Sequence, residues 1–216
     1  MTRPIEGDGL TGIPGGVVLG HLAHSSVRAA LGPVLLAAGL LAGCAAPEQV
    51  EAPRERPSID AVLARLPAQV AGFERGVVQD VAPGDPGAGK VVEYVTPRRV
   101  AVAYVFVYDM GRPTVTRADL PAEVERAISE ATALPSDRTG RQLSVASRTP
   151  LPARGGDLSC AALEGSFGRT QVERQVCVGV AGERFLRVQV TMPSRGGPVA
   201  DARGFAAEVA AAAQGG

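Results

Sequence analysis

Three cysteines, Cys44, Cys160 and Cys177, carry the most reactive side chains in the sequence. A thiolate can take an acyl or alkyl group, ligate a metal or close a disulfide, and the surroundings decide which. Cys44 ends the stretch Leu40-Leu41-Ala42-Gly43-Cys44, at the border of the longest uncharged run in the chain. The carboxylates Asp80, Glu93, Asp109 and Asp119 fall near expected strand ends or turns. Two carboxylates of split acidity can share acid–base work, but no spacing singles out a pair, so solvated turn and cap roles are expected. Ser159 and Ser166 lack a nucleophile elbow. Gly84-Asp85-Pro86-Gly87-Ala88-Gly89-Lys90 matches G-x-x-x-x-G-K of a phosphate-binding loop. Such a loop needs Ser or Thr next and must open a helix. Here Val91 follows and Val91-Val92-Glu93-Tyr94-Val95 reads as a strand, so a Gly/Pro connection is expected and nucleotide binding is not.

The segment before Cys44 supplies an address. After Arg28, Ala29 to Ala42 form an apolar run of about 14 residues, suited to the core of an export signal and short of the ~20 residues needed to span a bilayer. Leu41-Ala42-Gly43-Cys44 resembles the lipobox of bacterial lipoproteins at every position. The resemblance implies cleavage before Cys44, a diacylglyceryl thioether on its sulfur and acylation of the new amino terminus. Two or three acyl chains hold a protein firmly where one does not. Ala45, which is not the aspartate that retains many such proteins in the inner membrane, implies the periplasmic face of the outer membrane. Residues 1–27 include Glu6 and Asp8 and exceed an ordinary n-region, so translation is expected to start near Val17 or Val18.

On that reading residues 1–43 are removed, 44–57 form a lipidated tether and 58–216 a single domain. His21 and His24 both lie in the removed part, which leaves the mature chain without histidine. The usual general base of serine and cysteine hydrolases and the commonest transition-metal ligand are therefore missing. No catalytic, cofactor-binding or metal residue is assigned. Acidic and basic residues balance at 22 each, so no basic patch points to nucleic acid. In an oxidising compartment the remaining pair, Cys160 and Cys177, favours a disulfide. Leu158–Leu163 and Val172–Val178 read as strands around a Gly165–Thr170 turn signal. A hairpin symmetric about Gly168 and Arg169 sets the two cysteines directly opposite each other. Redox chemistry favours C-x-x-C at a helix start, which this spacing is not.

The elements that must position these residues follow from periodicity. Ala45–Pro57 is proline-rich and charged and cannot fold alone. Ser58 caps a short helix through Leu66, with Ile59, Val62, Leu63 and Leu66 on one face. Strands are predicted at Phe73–Val81, Lys90–Thr96 and Arg99–Tyr108. The third is apolar on both faces, so it is expected at the sheet centre with both faces covered. Asp119–Leu134 reads as the main helix, striped by Val124, Ala127, Ile128 and Ala131, with Glu123, Glu125, Arg126 and Glu130 mostly off the stripe. Four strands follow, at about Gln142–Arg148, Leu158–Gly165, Gln171–Val180 and Arg184–Met192, then a helix at about Val199–Ala213. The class is α+β, an antiparallel sheet of about six or seven strands flanked by helices. Through Arg184–Pro193, the Gly-rich turn and the terminal helix it resembles the PsbP-like α/β/α sandwich, which includes small envelope lipoproteins. That resemblance carries no functional residue.

The expected function is a membrane-anchored periplasmic lipoprotein, non-catalytic, presenting its domain to an envelope protein partner. A carrier of a small apolar ligand or lipid and a carboxylate-dependent hydrolase are the alternatives. No cofactor, nucleotide or nucleic acid is expected.

Overall fold

A computed structural model describes residues 55–133, 141–197 and 199–215, all within one compact unit, Glu51–Gly216. The expected signal segment, Cys44 and most of the tether lie outside the described residues. Two antiparallel meanders build the fold. The first follows helix α1 (Ile59–Ala64) and comprises β1 (Gln69–Val70), β2 (Phe73–Asp80), β3 (Lys90–Val95) and β4 (Val102–Tyr108). Helix α2 (Leu120–Thr132) leads to the second, β5 (Arg141–Leu151), β6 (Leu158–Phe167), β7 (Thr170–Ala181) and β8 (Arg184–Pro193), and α3 (Ala202–Gln214) closes the chain. The meanders join through their last strands, giving the order β1-β2-β3-β4-β8-β7-β6-β5. The sheet thus has eight strands, not six or seven; the addition is the two-residue β1.

Local chemistry explains the elements. Ser58 Oγ accepts the Ala61 N–H, as a helix N-cap does. Pro67 follows the helix and bars its continuation. Tight two-residue turns join β1 to β2, β6 to β7 and β7 to β8, with positive φ at Ala71 and Gly72, at Gly168, and at Gly182 and Glu183. Such turns match the twist of paired strands. The β6–β7 register runs from Ser159 opposite Val178 to Phe167 opposite Thr170, symmetric about Gly168 and Arg169. Strand β8 alternates as its sequence requires, with Leu186, Val188, Val190 and Met192 buried and Arg187, Gln189 and Thr191 half-buried.

Each sheet face has its own core. On one, α1 and α3 bring Val62, Leu63, Phe205 and Val209 onto Ala101, Ala103, Val105, Val107, Val188 and Val190. Phe205 packs at 4.6 Å from Phe73 and 5.2 Å from Tyr94, centroid to centroid. Ala101, just before β4, and Ala103 within it let α1 approach closely. On the other face, α2 lays Leu120, Ala127, Ile128 and Ala131 against Leu163, Val176, Val178 and Phe185. It packs over β5, β6 and β7. The expectation that β4 is covered on both faces is therefore corrected. Tyr108 is buried, but Tyr104 is 38% exposed, and Val102 and Phe106 are only half-buried, because α2 sits on the other half of the sheet.

Candidate functional site

The Gly84–Lys90 segment forms a tight loop turned in on itself. Asp85 Oδ1 accepts the N–H groups of Gly87 (2.9 Å) and Ala88 (3.3 Å). Gly87 C=O accepts from Asp109 N–H and Met110 N–H. A short 3₁₀ turn spans Pro86–Ala88 and β3 begins at Lys90. Gly89 has φ +73, and a Cβ there would lie 2.1 Å from Val107 O. Gly89 is thus required by close packing of the loop on β4. Lys90 Nζ donates to Asp60 Oδ1 at 2.7 Å, and this bond raises the pKa of the ammonium group.

Beside the loop lies a groove of about 690 Å³ lined by Ile59, Asp80, Lys90, Asp109, Arg112 and Arg184 among others. Most of its charges are held in pairs. Buried Asp109 accepts Gly111 N–H at Oδ1 (2.9 Å) and the guanidinium groups of Arg56 (3.1 Å) and Arg184 at Oδ2. Arg184 also donates to Pro57 O, and Arg56 to Arg112 O and Glu183 O. Burial, and then the neighbouring Arg56, lower the Arg184 pKa. Residues 56 and 57, assigned to the tether by composition, are thereby fastened to the domain. Arg112 pairs with Asp119 at 2.5 Å. Asp119 accepts the Thr116 N–H and hydroxyl, and these bonds hold its carboxyl below the usual range.

Of the four carboxylates singled out in the sequence, Asp80 and Asp109 line this one groove, Asp119 completes a capping box before α2, and Glu93 pairs with Arg99 at 2.6 Å on the sheet surface. Ser159 and Ser166 lie within the β6 ladder rather than on strand-to-helix elbows. Cys160 and Cys177 are directly opposed, Cα atoms 4.0 Å apart, and disulfide-bonded. Among the described residues, no helix is long and apolar enough to cross a membrane, and no group of three or more His, Cys, Asp and Glu is placed to hold a metal.

Glu123 corrects the helix reading. It is buried rather than off the stripe, 3% exposed, and accepts the Tyr108 hydroxyl proton. Arg126 grips the same carboxylate with two bonds, 2.8 and 2.5 Å. Burial pushes the Tyr108 hydroxyl far above its ordinary pKa. Arg187 stacks 4.2 Å above the Phe106 ring and pairs with Glu130 at 2.6 Å. The signal for this network was present in the sequence as Glu123 and Arg126, three apart on one helix. Its dependence on Tyr108 was not.

Beyond Arg187 the α2 face of the sheet is open. Register places Val91 beside Phe106, Glu93 beside Tyr104 and Val95 beside Val102. The Tyr104 and Phe106 rings lie 6.4 Å apart. At the margin, Val77 is 57% exposed. An apolar, aromatic patch rimmed by charge is the kind of surface that marks protein contact. No protein-family model matches the chain, and no curated protein matches it.

Proposed function

We propose that the protein is a lipid-anchored, non-catalytic module of the cell envelope that receives a protein partner on the open β2–β4 half of its sheet. The observation that carries this reading is the row of exposed Tyr104 and half-buried Val95, Val102 and Phe106, which no helix covers, with the Arg99–Glu93 pair beside it and Arg187 stacked on Phe106. Aromatic and arginine side chains with apolar neighbours dominate the binding energy of protein interfaces. The anchor rests on Leu41-Ala42-Gly43-Cys44 behind its apolar run, and the periplasmic face of the outer membrane on Ala45. A PsbP-like α/β/α arrangement is supported by α1 and α3 on one face and α2 on the other. The carrier alternative has less support, because Phe73, Tyr94 and Phe205 fill the space between the sheet and the α1–α3 layer.

Two measurements test the reading. Cys44→Ser should lose acyl label and leave the membrane fraction; a variant that still labels and pellets refutes the anchor. A photo-crosslinking amino acid at Tyr104 should trap one dominant envelope protein in cells. Crosslinks no different from those of the same probe at Arg169, on the β6–β7 turn, refute the partner face.

A further inference from the structure

The open half of the sheet ends in an open edge. β1 pairs only with Phe73 and Glu74 of β2, and the Arg75 N–H reaches back to Ala68 O. From Gly76 to Asp80, no strand among the described residues lies on the outer side of β2. Val81 N–H bonds Gly89 O, toward β3, at 3.0 Å. In an antiparallel ladder successive residues turn their main-chain groups to opposite neighbours. The N–H and C=O groups of Asp80 and Val78 therefore face outward, with nothing from the sheet to bond them. An edge of this kind is a template for a further strand.

A second feature adjoins it. A groove of about 400 Å³ runs between the edge and α1, lined by Asp60, Leu63 and Ala64 on the helix and by Arg75, Val78 and Asp80 on the strand. Its apolar lining comes from Leu63, Ala64 and Val78, and Val78 is 44% exposed. Its far end is acidic, because Asp60 and Asp80 face a single ammonium, that of Lys90, which bonds Asp60. Val78 and Asp80 sit two apart on the α1 side of the strand, opposite Val92 and Lys90.

We infer that this edge binds an extended segment of the partner protein as an added strand, with an apolar residue against Ala64 and Val78 and, two positions along, a basic residue against Asp60 and Asp80. Main-chain bonds supply the attachment and the alternate side chains supply selectivity. The inference rests on the reading that the β2–β4 half receives a protein, and it names the part of that protein which docks.

The probe is a synthetic peptide of alternating threonine and valine with Val-Thr-Arg at its centre. It is added to the full-length protein in detergent micelles, and amide exchange is followed by mass spectrometry. With the peptide at about ten times its Kd, exchange over 76–80 should slow roughly tenfold. The same peptide with Glu for Arg should bind more weakly, and Asp80→Lys should reverse that preference. No slowing at millimolar peptide overturns the proposal, and so does equal slowing by both peptides. Slowing without peptide that grows with protein concentration assigns the edge to a second copy and also overturns it. A Tyr104 crosslink that persists while the edge stays silent sinks the edge assignment and leaves the partner face standing.

Discussion

Replacing Glu123 tests whether a buried carboxylate organises the junction of α2 and the sheet. Its side chain is 2% exposed, whereas that of Arg126 is 40% exposed. Glu123→Ala leaves the Tyr108 hydroxyl buried without its acceptor, at ~1–3 kcal/mol. It also removes packed atoms, for about 1 kcal/mol more, at the low end of truncation costs because α2 can partly settle. Arg126 can turn its guanidinium to water, so the stranded-charge cost stays well below the ~3–5 kcal/mol of a fully buried broken pair. The expected total is about 2–4 kcal/mol. Glu123→Gln keeps the volume and a carbonyl acceptor for Tyr108 and loses only the charge facing Arg126, so about 1 kcal/mol is expected. Tyr108→Phe in the Glu123→Ala background should cost less than it does in the native protein, because the bond the two groups share is already gone. Urea unfolding at neutral pH reads the parent and the four variants, with a common m-value as the condition for comparing midpoints. If Glu123→Ala lies within about 0.5 kcal/mol of the parent, the carboxylate does not hold this junction and the argument fails.

Other expectations follow from the same structure. Burial raises the pKa of Tyr108 and of Tyr94 in the folded state; a raised folded pKa adds stability below the unfolded value of about 10 and loses it as pH climbs beyond. Alkaline unfolding monitored by circular dichroism should therefore be shallower in Tyr108→Phe, and an unchanged profile would count against it. Removing the Cys160–Cys177 bond, which closes a separation of 17 residues, should cost about 3 kcal/mol and leave the fold intact; free thiols in exported protein on non-reducing peptide mapping would contradict the bond. Gly89→Ala should destabilise strongly through its positive φ and the contact with Val107 O, seen as a lowered melting temperature. Calorimetry with ATP or GTP and magnesium should show no saturable heat, and micromolar binding lost in Lys90→Ala would overturn the loop assignment.

How far the sequence could be read depended on the range of the forces involved. The β6–β7 register was legible because a glycine turn and strand alternation are local, and together they set Cys160 against Cys177. Ser58 was legible as a cap because its partner, the Ala61 N–H, is three residues away. β1 was missed because two residues, Gln69 and Val70, carry no periodicity; they pair only because Ala71 and Gly72 turn the chain back. Glu123 looked like a solvated helix charge, and its burial depends on Tyr108, which arrives from the sheet. Asp109 looked like a turn residue, and its role depends on Arg184, 75 residues away, and on Arg56. The edge at Val78 and Asp80 was invisible for the same reason. It exists only because β1 stops after two residues and the chain order puts β2 at the margin.

The half-covered state of β4 has a geometric cause that composition could not reveal. Strands lie about 4.8 Å apart, so the seven gaps of an eight-stranded sheet make a face about 34 Å wide. A helix about 10 Å across covers two or three strands. One face receives two helices, α1 over β4 and α3 against β1, β7 and β8, and its core reaches from Val70 to Cys160. The other receives α2 alone, and α2 is committed to β5, β6 and β7 by Ala127, Ile128 and Ala131. Moving it toward β3 would strip cover from Leu163 and Val178, both fully buried, to cover Val95 and Tyr104 instead. The sequence of β4 is nonetheless apolar on that side, in Val102, Tyr104 and Phe106, where a solvated strand would alternate with polar residues. A face too wide for its one helix and too apolar for water is what the proposed partner would complete, and the strand edge beside it would give that partner a place to pair.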